Sequence, residues 1–307
     1  MNVLQRIIEE LSQELNFKYQ FLSKDWITMI EKDNKTRYFA GYKFDLNNQG
    51  LGAIVDDKYA LYDVLSAKNL PTIEYKIVYN ENNQNDYAKG CNNLDYVKDY
   101  LRKHHEIVLK PNNGTCGHDV IRVSDEQELE TIYHRLLTKN FSINMSPFYH
   151  IEHEYRVVIL NNKVKIIYQK NLPIVIGDGK STIRELLIKF NPHFFSNRLK
   201  DEKYDRILSP NERFEYNWKF NLSQGSTSSY IENPELKETI TNLAIKIASS
   251  INLHYGSIDI IRTTNNELLV MEINSGIMVD NFIDQHEEGY KIAKDIYREA
   301  IITSFNE

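Results

Sequence analysis

The chain has 307 residues, 41% hydrophobic and 26% charged, which is an ordinary composition for a globular protein. Its 37 basic and 43 acidic side chains give a net charge of −6, which disfavours a broad nucleic-acid surface but not a small basic pocket for phosphates. No run approaches the ~20 apolar residues that span a bilayer, and the first residues do not resemble a signal peptide. Cys91 and Cys116 form no disulfide framework and no CxxC metal site. We therefore expect a cytoplasmic protein with no nucleic-acid or membrane partner.

The first half of the chain predicts helices separated by short strands. MNVLQRIIEELSQELN indicates an amphipathic helix, and DDKYALYDVLSAKNLP predicts a helix from Asp56 to about Asn69, ending before Pro71. EIVLK and VIRV predict strands on either side of the loop PNNGTCGHD. The segment SDEQELETIYHRLL predicts a helix that opens with a capping box formed by Ser124 and Gln127.

The second half predicts hairpins interspersed with helices. EYRVVILNNKVKIIYQ predicts a hairpin that turns at Asn161 and Asn162. GDGKSTIRELLIKF predicts a loop and a helix with a Thr182/Glu185 capping box. It is not a P-loop, because isoleucine holds the position of that motif's first glycine. NPELKETITNLAIKIASSI predicts a helix capped by Asn233. Together these patterns indicate α+β lobes rather than one parallel sheet.

The segment SIDIIRTTNNELLVMEINSG predicts a hairpin with acidic residues inside apolar strands. If TTNN is the turn, Arg262 pairs with Glu267, and alternation then places Asp259, Glu272 and Asn274 on one face. A carboxylate among apolar residues is costly unless it is paired or binds a metal, and three oxygen donors suit Mg²⁺. The alternative is a hairpin with a solvated acidic face.

Lysines and glycines recur where an anion could bind. In PNNGTCGHD, Gly114 and Gly117 allow a tight turn whose N–H groups point at an anion, and Lys110 at the strand's end could hold a phosphate. The alternative is an ordinary hairpin turn. Lys58 lies at a predicted helix start, where the helix dipole disfavours a cation; this hints at an anionic ligand, with a solvated lysine as the alternative.

The segment WKFNLSQGSTSSY carries two further polar candidates. Lys219 and Asn221 precede a loop of small polar residues. Such a loop closes over phosphates or a polar substrate in some proteins and is a flexible surface loop in others. The sequence pattern does not separate the two alternatives.

Taken in order, six segments resemble the ATP-grasp superfamily, in the branch that contains cyanophycin synthetase and the glutathione synthetase part of bifunctional enzymes. The segments are DKYALYDVLSAKNLP, IVLKPNNGTCGHDV, EYRVVILNNKV, GDGKSTIRELL, ILSPNERFEYNWKFNLSQGS and GSIDII…LLVMEINSG. The resemblance implies an ATP-grasp fold of two α+β lobes gripping ATP, with a small N-terminal α/β domain before them. It places that domain at residues 1–55, the N-terminal lobe at 56–145 and the C-terminal lobe at 146–307.

The resemblance also implies an activity. Members of the superfamily activate a carboxylate with ATP as an acylphosphate, releasing ADP, and an amine then displaces the phosphate. The expected substrates are a small-molecule carboxylate and an amine, on an amino acid or small peptide. The expected cofactors are ATP and one or two Mg²⁺ ions, with Mn²⁺ as an alternative ion. Whether the protein forms a homodimer stays open. The alternatives are an ATP-binding regulatory module and a small-molecule kinase.

Carried over by motif, the resemblance implies three groups of site residues. The catalytic group is Lys219, Arg156 and Asn221. The ATP-binding group is Lys58, Lys110, Gly114, Gly117, Phe148, Tyr149, Glu154 and Lys170. The metal ligands are Asp259, Glu272 and Asn274. In this scheme Glu154 binds the ribose hydroxyls. Pro147 stands where the superfamily usually has a glutamate near the adenine, so adenine contact moves to backbone groups near Phe148 and Tyr149.

Overall fold

A computed structural model describes residues 2–80 and 93–306 of the chain, a range that excludes Cys91. The α-helices are α1 (Val3–Leu15), α2 (Gln49–Asp56), α3 (Lys58–Ala67), α4 (Leu94–His104), α5 (Glu126–Lys139), α6 (Ile183–Phe190), α7 (Pro192–Phe195), α8 (Pro234–Ile251), α9 (Asp280–Ile283) and α10 (Gly289–Asn306). The strands are β1 (Lys18–Leu22), β2 (Ile27–Lys32), β3 (Lys35–Ala40), β4 (Lys76–Tyr79), β5 (Ile107–Pro111), β6 (Ile121–Val123), β7 (Ser142–Pro147), β8 (Ile151–Leu160), β9 (Lys163–Asn171), β10 (Ile174–Ile176), β11 (Arg213–Glu215), β12 (Thr227–Ser229), β13 (Tyr255–Thr263) and β14 (Leu268–Asn274). None of the helices in residues 2–80 and 93–306 combines the length and the apolar composition that a membrane span requires.

The chain divides into two compact units, and the boundaries fall inside α2, β8, β13 and β14. Unit 1 comprises Met1–Leu51, His153–Asp259 and Asn274–Glu307, and unit 2 comprises Gly52–Glu152 and Ile260–Ile273. The first 51 residues therefore belong to the same compact unit as much of the second half of the chain. The division into three domains, at 1–55, 56–145 and 146–307, remains a proposal.

Unit 1 is built on antiparallel sheets. Strands β12, β9 and β8 and the first part of β13 are neighbours in one sheet, in that order, and the N-terminal strands form a separate sheet in the order β1-β2-β3. Strands β8 and β9 are joined at Asn161 and Asn162, whose φ angles of 51° and 58° suit a two-residue hairpin turn; the predicted hairpin is confirmed. The apolar face of α1 joins the core of this unit through Ile7, Ile8 and Leu11, which are fully buried.

Unit 2 contains an antiparallel sheet in the order β4-β7-β5-β6. Helices α4 and α5 bury their apolar faces in one core with this sheet, because their apolar side chains recur at helical spacing. The predicted cap of α5 is wrong by one residue. Asp125, not Ser124, is the N-cap, and one carboxylate oxygen accepts the N–H groups of Gln127 and Glu128 at 2.9 Å each. The charged carboxylate also interacts favourably with the helix dipole.

Two other predicted helix starts are confirmed. Thr182 and Glu185 form the capping box of α6, with each side chain accepting the other residue's backbone N–H. Asn233 caps α8 and accepts the N–H of Leu236, and Pro234 occupies the first turn, where its missing N–H costs nothing.

The acidic hairpin turns one residue later than predicted. Thr263 N–H donates to the Glu267 carbonyl at 3.0 Å, and Asn266 N–H donates to the Thr263 carbonyl at 2.9 Å. Asn266 has φ 65°, so the connection is a three-residue loop ending in a left-handed residue. The predicted pairing of Arg262 with Glu267 is therefore wrong. The parity argument for the predicted grouping of metal ligands assumed the four-residue turn, so that grouping now depends on the resemblance alone.

Candidate active site

Strands β8, β9 and β13 bring four charged side chains together in unit 1. The Arg156 guanidinium donates to both oxygens of Asp259, at 2.8 Å from Nε to Oδ1 and 2.6 Å from Nη2 to Oδ2. Lys170 Nζ donates to Asp259 Oδ2 at 3.1 Å and also to a carboxylate oxygen of Glu154. Glu154 and Lys170 are directly opposite each other in the β8–β9 ladder, so their side chains lie on one face. We call these residues the four-charge cluster.

The cluster is buried and its formal charges cancel. Glu154 and Lys170 are each 4% exposed and Asp259 is 3% exposed. Burial alone would raise the pKa of the Asp259 carboxyl, but the charges of Arg156 and Lys170 outweigh burial and hold that pKa below its usual value. Burial raises the pKa of Glu154, and Lys170 only partly opposes it. The two carboxyls therefore have pKa values shifted in opposite directions, a pattern common at functional sites.

In unit 2, Lys58 connects the start of α3 to the glycine loop. Its Nζ donates to the Gly114 carbonyl at 2.7 Å and to the Asn112 carbonyl at 3.4 Å, and lies 3.8 Å from Glu272 Oε1. Lys58 is only 5% exposed. The predicted anion-binding lysine, glycine loop and metal-ligand glutamate thus lie together in this unit.

Asn112 organises this loop and was missed by the sequence reasoning. Its Oδ1 accepts the Tyr59 N–H at 3.2 Å and an Asn144 side-chain N–H at 3.0 Å, and its Nδ2 donates to Asp57 Oδ2 at 2.6 Å. Asn112 is 1% exposed, so the cost of burying its amide is offset by these bonds. The polar pair that follows β5 in PNNG was the available signal.

Lys110 is held by an aromatic residue that the sequence did not single out. Its Nζ donates to Tyr75 Oη at 2.5 Å, and the Tyr75 hydroxyl donates to the Met271 carbonyl at 3.1 Å. Lys110 is 8% exposed and Tyr75 is 1% exposed. This packing fixes the position of a buried cation at the end of β5.

The groups predicted to contact adenine have partners within unit 2. Phe148 N–H donates to the Glu106 carbonyl at 3.0 Å, and the Phe148 ring lies 3.9 Å from the Arg122 guanidinium carbon. Tyr149 Oη accepts the backbone N–H of Glu74 at 3.0 Å. Adenine contact at Phe148 and Tyr149 remains a prediction, and the Phe148 N–H would have to exchange its present acceptor.

The segment with Lys219 and Asn221 forms a packed turn. Asn221 Oδ1 accepts the Ser223 N–H at 2.9 Å and so caps a short 3-10 turn, while the Lys219 carbonyl accepts from Ser226 Oγ at 3.1 Å. Gly225 has φ 105°, and a Cβ there would lie 2.9 Å from Phe195. The Asn221 side chain therefore has a structural role, and catalysis by Lys219 and Asn221 remains a prediction.

The predicted metal ligands fit Mg²⁺ in their chemistry. Two carboxylates and an amide are the hard oxygen donors that Mg²⁺ prefers. Asp259 Oδ1 accepts one hydrogen bond, from Arg156, and a carboxylate oxygen has a second lone pair for a metal. In residues 2–80 and 93–306 no three His, Cys, Asp or Glu residues form a metal-binding group. The assignment of Asp259, Glu272 and Asn274 stays a prediction.

The fold is that of an ATP-grasp protein. In structural comparison, a bifunctional glutathione synthetase from Pasteurella multocida matches with a TM-score of 0.57 at 14% identity, over 97% of this chain and 44% of that chain. A D-alanine–D-alanine ligase from Bacillus anthracis matches with a TM-score of 0.55 at 15% identity, over 84% of this chain and 71% of that chain. At such identities the likeness shows the fold, and the predicted ATP-grasp fold is confirmed.

More particularly, residues 205–299 match the family model of the RimK-like ATP-grasp domain. Cyanophycin synthetase from Trichormus variabilis is 26% identical to this chain over 154 residues, which cover 50% of this chain and 15% of the relative. Cyanophycin synthetase from Geminocystis herdmanii is 32% identical over 90 residues, 28% of this chain and 10% of the relative. The chain thus spans a small part of these relatives. The resemblance to the ATP-grasp superfamily that was drawn from the sequence is confirmed by the fold and by the match of residues 205–299 to the RimK-like ATP-grasp domain.

Proposed function

We propose that the protein is an ATP-dependent ligase that activates a carboxylate as an acylphosphate, releases ADP and phosphate, and joins the carboxylate to an amine. The observation that carries this proposal is the four-charge cluster on an ATP-grasp fold. Replacing buried ion pairs with apolar side chains is often neutral or stabilising, so stability alone does not account for Glu154, Arg156, Lys170 and Asp259. An amino acid or small peptide is the expected substrate class.

The proposed roles follow from the chemistry of phosphoryl transfer, in which a protein mainly positions groups and neutralises charge. Lys110, fixed by Tyr75, and Lys58, fixed at the glycine loop, would hold ATP phosphates. Arg156 offers a planar fork of donors suited to an anionic oxygen, and Lys219 would neutralise further charge.

Asp259, Glu272 and Asn274 would hold Mg²⁺, an assignment that rests on the motif match. When bound, the metal supplies positive charge beside the phosphate oxygens. Excluding water from the closed site would protect the acylphosphate from hydrolysis. Glu154 would bind the ribose hydroxyls, and Lys170 supports both carboxylates of the cluster.

Activation can be tested before the substrates are known. MgATP is incubated with each standard amino acid and a panel of dipeptides, with hydroxylamine as acceptor, and ADP, phosphate and acyl hydroxamate are measured together. We expect ADP, phosphate and hydroxamate in equal amounts with at least one carboxylate. AMP as the nucleotide product would contradict the proposal. MgATP binding without ADP formation across the panel would instead indicate a regulatory module, and a stable phosphorylated product would indicate a kinase.

The metal assignment has a matched control in the same hairpin. Glu272→Gln should abolish hydroxamate formation because it removes one of the two proposed carboxylate ligands. Glu267 is exposed near the turn, and Glu267→Gln should keep the wild-type rate. Near-native activity of Glu272→Gln would refute the assignment of that residue.

A further inference from the structure

Ser228, Gln285 and His286 form a hydrogen-bonded group in unit 1. Ser228 Oγ lies 2.9 Å from His286 Nε2 and 3.0 Å from Gln285 Oε1. Gln285 Oε1 also accepts the backbone N–H of Ser228 at 2.6 Å. All three residues are half-buried, so a small ligand can reach them while bulk water is partly excluded.

This group lies beside the four-charge cluster. Ser228 on the edge strand β12 is directly opposite Lys170 in the β12–β9 ladder. Opposed residues lie on the same face with Cβ atoms about 4.5–5.5 Å apart. A second route leads to the same place: Tyr168, opposite Arg156 in the β8–β9 ladder, stacks on Phe282 at 5.1 Å between ring centroids, and Phe282 stacks on the His286 ring at 4.2 Å. Sheet register and ring stacking thus both place Ser228 and His286 beside the four-charge cluster.

The Ser228–His286 contact is not needed to satisfy Ser228. Gln285 alone accepts both the backbone N–H and the hydroxyl proton of Ser228. A hydroxyl has one proton, so Ser228 Oγ accepts from His286 Nε2–H when that proton goes to Gln285 and donates to Nε2 when it does not. The group therefore has two hydrogen-bonding arrangements that differ by the position of a proton, as a proton relay requires.

We propose that Ser228 and His286 accept the proton of the amine substrate. This inference rests on the proposed ligase function. An amine is largely protonated at neutral pH and has no free lone pair for attack. In the proposed step, an ammonium N–H proton passes to Ser228 Oγ as the Ser228 proton passes to His286 Nε2, leaving an imidazolium. The amine lone pair then forms the C–N bond with the acylphosphate carbon, and the C–O bond to phosphate breaks. Phosphate leaves with that electron pair and takes the second N–H proton of the former ammonium, so that a neutral amide and hydrogen phosphate remain.

The surroundings of His286 suit a proton acceptor. Burial lowers the pKa of His286 below its usual 6.5, so the ring is neutral at pH 7. The titratable group packed on it is Tyr230, with ring centroids 4.8 Å apart, while Glu287 and Glu288 follow it in the chain as exposed residues. A neutral imidazole within hydrogen-bond reach of the relaying hydroxyl meets the geometric requirement for a general base.

The test compares two acceptors that differ in their need for a base. Hydroxylamine is largely uncharged near neutral pH, whereas methylamine is protonated. With the carboxylate accepted by the wild type, His286→Gln and Ser228→Ala are assayed for acyl hydroxamate and for N-methylamide. His254→Gln is the matched control, because His254 is an exposed histidine of the same unit. Ser228→Ala leaves the stacking of His286 on Phe282 in place and serves if His286→Gln fails to fold.

We expect both variants to lose at least ~100-fold in N-methylamide formation and to keep the wild-type rate of hydroxamate formation, while the control keeps both rates. The wild-type N-methylamide rate should fall as pH decreases through the His286 pKa, and this acid limb should be missing from the His286→Gln profile. Equal loss in both reactions, or loss in neither, would overturn the inference while leaving the ligase function standing. If the wild type forms no hydroxamate with any carboxylate, the proposed function itself fails, and this inference falls with it.

Discussion

Asp259 offers the sharpest test of the four-charge cluster, because Asp259→Asn removes one charge and keeps the side chain's shape. In the native protein Oδ1 accepts a bond from Arg156 and Oδ2 accepts bonds from Arg156 and Lys170, and the residue is 3% exposed. Removing one partner of a buried ion pair costs about 3–5 kcal/mol, because the remaining charge is left uncompensated. Glu154 still pairs with Lys170, so we expect the lower end, about 3 kcal/mol.

The free energy of unfolding is measured by urea titration at pH 7, and Asp205→Asn is the matched control. Asp205 pairs with Arg184 at 2.7 Å, but its side chain is 55% exposed, so loss of its charge should change the free energy of unfolding far less than Asp259→Asn does. The same effect from both substitutions would refute the buried, coupled character of the cluster.

The pH dependence of this difference has a definite sign. The pKa of Asp259 is lower in the folded protein than its usual value of 3.8. Its charge therefore stabilises the fold at pH values above the unfolded pKa, and that stabilisation is lost as pH falls toward the folded pKa. The difference in the free energy of unfolding between wild type and Asp259→Asn should become smaller below about pH 4. A difference in the free energy of unfolding that stays constant in acid would contradict this interpretation.

Two further predictions concern local structure. Backbone and side-chain hydrogen bonds from Ser181 hold the pKa of Asp178 at about 2. Ser181→Ala removes only the side-chain bond, so it should raise that pKa part of the way toward 3.8. NMR titration measures the pKa, and an unchanged value would refute the contribution of the side-chain bond. The stabilisation from Asp178 is present above its unfolded pKa and is lost as pH falls toward 2. Gly225→Ala should destabilise unit 1 by at least about 1 kcal/mol, because φ is 105° and the new Cβ would lie 2.9 Å from Phe195. At Gly52 in α2 the new Cβ would meet no atom within 4 Å beyond its chain neighbours and its own helix backbone, so Gly52→Ala should instead stabilise the protein by about 0.5–1 kcal/mol. Chemical unfolding of both variants checks the contrast, and equal effects would contradict it.

Local patterns in the sequence predicted much of the secondary structure correctly. The Asn161–Asn162 turn, the Thr182/Glu185 capping box and the Asn233 cap all follow from side chains within a few residues of one another. At the α5 cap and at the acidic hairpin, the predicted position was displaced by one residue from the observed one. In both places neighbouring polar residues offered a second way to satisfy the same backbone groups.

The sequence also determined the fold class, since the order of six motifs is a property of the chain itself. Only the tertiary structure decided which charges meet. Arg156 and Asp259 are 103 residues apart, and Ser228 and His286 are 58 apart. Periodicity and capping act over one or two turns, whereas these contacts depend on strand order, on register and on which apolar faces share a core. For the same reason only the structure shows that the first 51 residues belong to unit 1, and a separate N-terminal domain at residues 1–55 stays a prediction.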